Sequence, residues 1–357
     1  MIAAFAATLA LGLASQPGTA AHVRAEHATW RYQYLTGGVN TGHGWSTWNP
    51  DGTFASRYVR ESRDHGLTPV LTYYQLLQSH GAGDGLGEAA KDLANLKDNA
   101  LMKAYYDDLA LALRRAGEAA GGKTVVLHVE PDLWGYVEQR AGDPAQVPAA
   151  VASTGDPRLA GLPDTAAGFA QAIVRLRDAV APKVRLGYHM STWGTGVDPV
   201  QQNPSPGEVD RLAARGAAFY HALGARFDLV FSDPSDRDDG FDAKVNGDHG
   251  RSRWTTGDYR RDARWLADMH RATGRPLVMW QIPLGNSTLP NAWGRYRDTH
   301  VQRLLGHDPR WRRAYRDAGV IAFLFGGGAD GTTTERTDGG VFKRLAARYS
   351  RARLRTK

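Results

Sequence analysis

The chain has 357 residues, of which 42% are hydrophobic and 23% are charged, so it can bury a full core and is neither a disulfide miniprotein nor a disordered segment. It has no cysteine, which excludes disulfides, thiol nucleophiles and thiolate metal ligands. The net charge of +7 comes from residues 343–357, which carry seven Lys or Arg and no acidic residue. Because phosphate recognition requires basic residues massed on a folded face, we expect no nucleic-acid partner and a solvated basic C-terminal tail.

The N-terminal residues have the composition of a secretory signal. Met1–Ala14 is an apolar run rich in Ala and Leu, and small residues suited to cleavage near Ala20 or Ala21 follow it. We therefore predict a signal peptide over residues 1–21 and a secreted or cell-envelope location. Since the run lacks a positively charged start, the alternative is an ordinary buried element. No stretch reaches the roughly 20 apolar residues that a transmembrane helix needs, so none is predicted.

Further along the chain, short apolar runs typical of β-strands alternate with longer stretches of helical period. Strands are predicted at residues 31–37, 69–75, 124–130, 184–190, 227–232, 276–282 and 320–325, and helices at residues 89–117, 166–181, 208–223, 258–273 and 299–318. This α/β alternation predicts one domain over residues 25–342, a barrel of about seven parallel strands, or eight if one strand has been missed. Without a P-loop or a GxGxxG turn, no nucleotide cofactor is expected.

The segment VVLHVEPDLWGY carries the densest chemical signal. Its strand places His128 and Glu130 on one face and presents Asp132 at the following loop. A carboxyl group beside Trp134 and Tyr136 would be partly desolvated, which raises its pKa and suits it to general-acid catalysis. The alternative is that Asp132 only caps the next helix.

A second signal is IAFLFGGGADGTTTE, in which three glycines precede Asp330. Glycines allow a backbone to pass close to a ligand, but the alternative is a turn that serves only the fold. The acidic segment 233–242 lacks the spacing of an EF-hand loop, and we expect it to be a solvated charged loop.

Aromatic residues accumulate near the predicted strand ends, where their flat faces could stack on sugar rings. Core filling is the alternative for about half of them. The residues predicted to bind a sugar are Trp45, Trp48, Tyr73, Trp134, Trp193, Trp254 and Trp293, together with the polar His189 and Asn286.

The positions of the carboxylates indicate which mechanism of glycoside hydrolysis the chain could use. Retaining barrel glycosidases use two carboxyl groups about 5–5.5 Å apart, yet only Glu130 stands at a predicted strand end, and Gln281 stands where the second would be expected. Two Asp in a wider cleft would suit an inverting mechanism. Convergence of Glu130 with His128, His189 and Asp233 on a metal is the alternative, but no HxH or HExxH pair supports it, and no metal is predicted.

Four segments also resemble, in their order, those of glycoside hydrolase family 6, the inverting endoglucanases and cellobiohydrolases. They are EPD ending at Asp132, GYHMSTW around His189 and Trp193, NAWGRY around Trp293, and GGADGT around Asp330. The resemblance implies a distorted barrel of about seven strands, with Asp132 as the general acid, Asp330 as the base and Glu130 tuning the acid. The family's Asp-bearing loop after the second strand is replaced here by QLLQSHGAGD.

Together these observations predict an exported polysaccharide hydrolase that needs no cofactor. By resemblance it would cleave a β-1,4-glucan with inversion. Two alternatives stay open: a catalytically weak glycan-binding barrel, and a metal-dependent hydrolase of cell-envelope polymers.

Overall fold

The computed structural model describes residues 9–235 and 237–354 and contains a closed barrel of eight parallel strands in sequence order. Its strands are rich in Val, Leu, Ile and Phe because both of their faces are covered. They are β1 (Ala10–Ala14), β2 (Trp30–Leu35), β3 (Thr68–Tyr73), β4 (Val126–Val129), β5 (Arg185–His189), β6 (Leu229–Ser232), β7 (Leu277–Ile282) and β8 (Val320–Phe325).

At least one helix follows each strand, so the βα unit repeats around the barrel. The helices are α1 (Ala20–Ala25), α2 (Thr53–Asp64), α3 (Glu88–Asn95), α4 (Asn99–Ala120), α5 (Pro131–Ala141), α6 (Ala166–Val180), α7 (Pro206–Ala222), α8 (Asp239–Phe241), α9 (Thr256–Thr273), α10 (His300–Leu305), α11 (Arg310–Asp317) and α12 (Val341–Leu354). Local sequence sets several ends. The Asp98 side chain accepts hydrogen bonds from the first amides of α4, and Gly121 ends that helix in the left-handed conformation.

All seven predicted strands are confirmed, and the missed one is β1, which lies inside the segment interpreted as a signal peptide. Gly12 of β1 pairs with Trp30 of β2, and Leu11 pairs with Phe323 of β8. A short, buried barrel strand is an apolar run of small residues, and so is the core of a signal peptide. Cleavage near Ala20 or Ala21 would remove this strand, and the signal peptide stays a prediction of the sequence.

The helices differ from the prediction in their boundaries. The stretch 89–117 contains two helices, α3 and α4, and the stretch 299–318 contains α10 and α11. The expected solvated tail is instead helical from Val341 to Leu354, and Lys343 forms an ion pair of 3.0 Å with Glu26. The last three residues of that tail lie outside the described part of the chain. Among the residues described, no helix is long and apolar enough to cross a membrane.

Backbone contacts divide the chain into two compact units. The first unit comprises residues 33–197 and 214–230 and contains the carboxyl ends of β3, β4 and β5. The second unit contains β1, the start of β2, residues 198–213 and the chain from residue 231 onward. Each unit has its own aromatic core, and the two groups of predicted site residues fall into different units.

The place of β1 in the fold can be tested with Leu13→Ala, which shortens a fully buried side chain. We expect it to lower the free energy of unfolding by about 2–5 kcal/mol, because a buried Leu→Ala change loses apolar burial and leaves a cavity. Chemical denaturation of the full chain measures this, with Gln16→Ala, an exposed position, as the control. Equal stability of Leu13→Ala and the unsubstituted chain would show that this strand is not part of the folded protein.

Candidate functional site

Glu130 lies directly after β4 and is buried. One of its carboxyl oxygens, Oε1, accepts hydrogen bonds from the backbone N–H groups of Gln75 (3.0 Å) and Leu76 (3.2 Å). Its own backbone is left-handed, with φ of 45°, a conformation that costs free energy in a non-glycine residue. Burial raises the pKa of Glu130 to about 8, although these two amides and the Tyr105 hydroxyl oppose the shift. A neutral carboxyl group thus joins the end of β4 to the turn that follows β3.

Asp132 lies in the first turn of α5 and is half-buried. Its Oδ2 atom accepts a hydrogen bond of 2.9 Å from the hydroxyl of Tyr74, the residue that follows β3 and precedes Gln75. Burial and the nearby Asp132 raise the pKa of Tyr74, so this hydroxyl keeps its proton and stays a donor. Because Glu130 fixes the backbone of Gln75, it also fixes the position from which Tyr74 reaches Asp132.

Two further carboxyl groups come from α3, which packs against α5. Glu88 and Asp92 are four residues apart and therefore share one face of α3. The Tyr136 hydroxyl of α5 donates to Glu88 Oε2 at 3.4 Å. Asp92 is completely buried, and its pKa is raised by burial and then by the charges of Glu130, Asp132 and Glu88.

Inside the barrel, His128 of β4 and His189 of β5 interact with each other. His128 Nε2 lies 3.1 Å from His189 Nδ1, and the Thr72 hydroxyl lies 3.4 Å from His128 Nδ1. Burial and His189 lower the pKa of His128, so the ring is neutral. Both rings are buried, which contradicts the predicted contact of His189 with a sugar. Asp233, the other proposed metal ligand, belongs to the second unit, and no group of three possible ligands is present among the described residues.

Three of the aromatic residues predicted to bind a sugar fill the core of the first unit instead. Trp45 Nε1 and the Tyr73 hydroxyl both donate to Asp108 Oδ2, at 2.7 and 2.8 Å. Trp134 Nε1 donates to the carbonyl of Val129 at 2.9 Å. None of these three side chains is exposed, so none offers a ring face to a ligand, and the predicted role in binding is wrong for them.

Two predicted binding residues of the second unit are also structural. Trp254 is buried against the rings of Tyr259 and His300, with centroids 5.0 and 4.7 Å away. Asn286 is fully buried and donates to the backbone carbonyl of Asp338 at 2.8 Å. The amide of Asn286 therefore stabilises a loop, and the indole of Trp254 packs in the core.

The remaining aromatic candidates are accessible. Trp193 is half-buried and packs over Gly135, where a side chain would collide with the indole, and its centroid lies 5.1 Å from that of Tyr136. Trp48 is 40% exposed. In the second unit, Trp293 is 69% exposed and its indole covers Gly331, a left-handed glycine.

Asp330, the predicted base, is exposed in the turn after β8, next to Gly331. In the same unit Asp238 is buried and accepts hydrogen bonds from the backbone N–H groups of Gly285 and Thr333, both at 2.7 Å. The expectation of a fully solvated acidic loop at 233–242 is therefore wrong at Asp238, which joins the loops that follow β7 and β8.

The sequence analysis did not assign a role to Glu88 or Asp92. The spacing of Glu88 and Asp92 on a helix was the available signal for one shared face. Nothing in the sequence indicated that this face would pack against α5, because that contact joins two separate βα units.

Two solved structures with the same fold are glycoside hydrolases. One is a modular endo-β-1,4-mannanase of family 26 from Cellulomonas fimi, with a TM-score of 0.55 and 12% identity over 96% of this chain and 70% of that one. The other is a family 5 enzyme from Prevotella bryantii B14, with a TM-score of 0.51 and 10% identity over 97% of each chain. The fold is an eight-stranded (β/α) barrel. No protein-family model and no curated protein sequence matches the chain.

These findings overturn the resemblance to family 6. The barrel closes with eight strands instead of about seven, and its structural neighbours belong to families 26 and 5. The short segments around Asp132, His189, Trp293 and Asp330 do not identify that family. The assignment of Asp330 as the base depended on the resemblance and loses that support.

The protonation of Glu130 can be tested through stability. Because its pKa of about 8 in the folded chain exceeds its ordinary value of 4.5, the folded state keeps a proton that the unfolded state loses between these pH values. Stability from this group is therefore complete below pH 4.5 and is lost as the pH rises through 8. Each unit of difference between the folded and unfolded pKa values corresponds to a loss of stability on the order of 1.4 kcal/mol. Glu130→Gln keeps an oxygen acceptor but has no proton to lose, so it should remove this loss.

The measurement is denaturant unfolding at pH 5 and pH 8 for the unsubstituted chain, Glu130→Gln and Glu118→Gln, an exposed control on α4. We expect Glu130→Gln to differ from the unsubstituted chain in the pH dependence of stability, and the Glu118→Gln control to follow the unsubstituted chain. Parallel pH profiles for all three proteins would contradict a raised pKa at Glu130.

Proposed function

We propose that this protein is a glycoside hydrolase that cleaves a polysaccharide, with Asp132 as the reacting carboxyl group. The observation that carries the proposal is the half-buried Asp132, which accepts a hydrogen bond from Tyr74 and stands among three other carboxyl groups at the carboxyl end of β4. Barrel enzymes place their catalytic residues at this end of the strands. The fold shared with a mannanase and a family 5 glycoside hydrolase supports the same class of reaction.

In the proposed reaction, Asp132 donates its proton to the glycosidic oxygen as the bond from that oxygen to the anomeric carbon breaks. A water molecule attacks the anomeric carbon and gives up its proton to a second carboxylate. Clustered carboxyl groups favour retention of protons near neutral pH, since ionising all of them would place like charges close together. Asp132 is more accessible than Glu130 and Asp92, which suits it to proton donation to a substrate.

We also propose that the reaction inverts the anomeric carbon and that the substrate is a β-1,4-glucan. The sequence favours inversion, because it offers Gln281 and no second carboxylate at the later strand end where retention would require a nucleophile. The anomeric form of the first product, observed by proton NMR during hydrolysis, decides between inversion and retention. Export stays a prediction of the sequence.

The central test is Asp132→Asn, for which we expect kcat to fall by about 10²–10⁴ because a general acid is lost. Tyr74→Phe removes only the hydrogen bond to Asp132 and should cause a smaller loss. Asp64→Asn, at an exposed position on α2, is the matched control. The assay is the release of reducing ends from a panel of glucans and envelope glycans.

EDTA should leave the activity unchanged, because the proposed chemistry uses side chains alone. Loss of activity with EDTA would favour the metal-dependent alternative. Hydrolysis by Asp132→Asn at the rate of the unsubstituted protein would contradict the proposal. Binding of glycans without hydrolysis would favour the glycan-binding barrel.

A further inference from the structure

The helices α3 and α5 form a seam that contains four carboxyl groups. Glu88 and Asp92 lie on one face of α3, Asp132 lies in the first turn of α5, and Glu130 directly precedes that helix. The four groups form a gradient of exposure, because Glu88 is exposed, Asp132 is half-buried, and Asp92 and Glu130 are buried. We call these four residues the acidic seam.

In the described part of the chain, neither Glu88, Asp92 nor Glu130 forms an ion pair with Lys, Arg or His. The charge of Lys91, on the same helix, opposes the rise in the pKa of Asp92, but the Lys91 amino group pairs with Asp84, 3.4 Å away and outside the seam. Buried carboxyl groups in proteins are ordinarily paired or hydrogen-bonded, so a concentration of this kind requires an explanation.

The surroundings of Asp92 provide a second observation, which is independent of the ion pairs. Its side chain is completely buried, and within the described part of the chain neither Oδ1 nor Oδ2 has a hydrogen-bond donor. Leaving such atoms unsatisfied costs about 1–3 kcal/mol each. The neighbouring Asn95 side chain anchors the same helix by donating to the carbonyl of Leu76 at 2.9 Å, so Asp92 is held in place without a partner of its own. A ligand that brings hydrogen-bond donors and positive charge would satisfy both oxygens.

An aromatic pair lies beside the acidic seam. Tyr136 is four residues after Asp132 and so shares its face of α5, and its ring packs with that of Trp193 at 5.1 Å. Both rings are half-buried. Aromatic faces attract cations and cover the apolar faces of sugar rings. Carboxyl groups beside such rings match a ligand that is both a sugar and a cation.

We propose that the acidic seam and the Tyr136–Trp193 pair form a subsite for the protonated amino group of an amino sugar. The substrate class would then be an aminoglycan, a polysaccharide whose sugars carry free amino groups, and it would replace the neutral β-1,4-glucan that the sequence suggested. An ammonium group supplies three donors and one positive charge, which matches the unsatisfied oxygens of Asp92 and the more exposed carboxyl groups of Glu88 and Asp132. A neutral hydroxyl or an N-acetyl group supplies no charge. This inference rests on the proposed function, because it names the substrate of the same site.

Binding to the full chain tests the proposal in an Asp132→Asn background, in which we expect hydrolysis to be slowed by about 10²–10⁴. Isothermal titration calorimetry compares a glucosamine tetrasaccharide, its fully N-acetylated form and a glucose tetrasaccharide. We expect the free-amine ligand to bind at least about tenfold more tightly than either neutral ligand, an affinity ratio that corresponds to about 1.4 kcal/mol.

Further substitutions in the same background locate the subsite. Asp92→Asn and Glu88→Gln should each reduce the preference for the amine severalfold, whereas Glu118→Gln should leave it unchanged. Because Asp92 is buried, thermal unfolding checks that its variant folds, and the exposed Glu88 offers a test that does not disturb the core. A tetralysine peptide should bind more weakly than the amino sugar, because it lacks the ring that packs on Tyr136 and Trp193.

Equal binding of the amine and neutral ligands would overturn the inference, and so would a preference that survives both substitutions. Equal affinity for tetralysine would also overturn it, by showing unspecific attraction of cations. Selective binding of the amine with no hydrolysis by the unsubstituted protein would contradict the proposed function alone. Hydrolysis of a neutral glucan without selective binding of the amine would contradict the inference alone.

Discussion

The position of the candidate site depends on one buried carboxyl group. Glu130 accepts the backbone N–H groups of Gln75 and Leu76, so the end of β4 and the turn after β3 are held together. Tyr74 precedes this turn and Asp132 follows Glu130 by two residues, and these two side chains meet at 2.9 Å. These two hydrogen bonds require a buried acceptor. Burial raises the pKa of the Glu130 carboxyl group, which therefore stays protonated at pH values well above its ordinary pKa. Its left-handed backbone is tolerated because these hydrogen bonds hold it.

The carboxyl groups of Glu130, Asp132 and Asp92 have the same chemistry, but their different burial suits them to different roles. Glu130 is enclosed and hydrogen-bonded, which suits it to positioning. Asp132 is partly open to solvent and touches a hydroxyl that keeps its proton, which suits it to reaction with a substrate. Asp92 is enclosed without a donor, which suits it to a ligand that brings one. The same logic assigns the His128–His189 pair to the barrel interior, where the two rings satisfy each other.

Much of the fold could be predicted from the sequence, because buried parallel strands are continuous apolar runs and seven of them were separated by helical stretches. β1 could not be distinguished from the core of a signal peptide, since both are short runs of small apolar residues. At the site, the strand-end position of Glu130 and Asp132 was predictable. The exposure of the aromatic residues was not: Tyr73 and Tyr74 are adjacent in sequence, yet one is in the core and the other contacts Asp132. Asp92 was missed because it reaches the site through the packing of α3 on α5.

The most direct test of this account is the titration of Glu130 itself. The chain has eight glutamates, so carbon-13 NMR of protein labelled at the glutamate side-chain carboxyl carbon gives few signals, and Glu130→Gln assigns the one that disappears. We predict that this carboxyl carbon has the chemical shift of a protonated acid at pH 6.5 and that its shift changes near pH 8. A signal that titrates near pH 4.5 would mean that Glu130 is charged at neutral pH, and its description as a neutral buried acceptor would then be wrong.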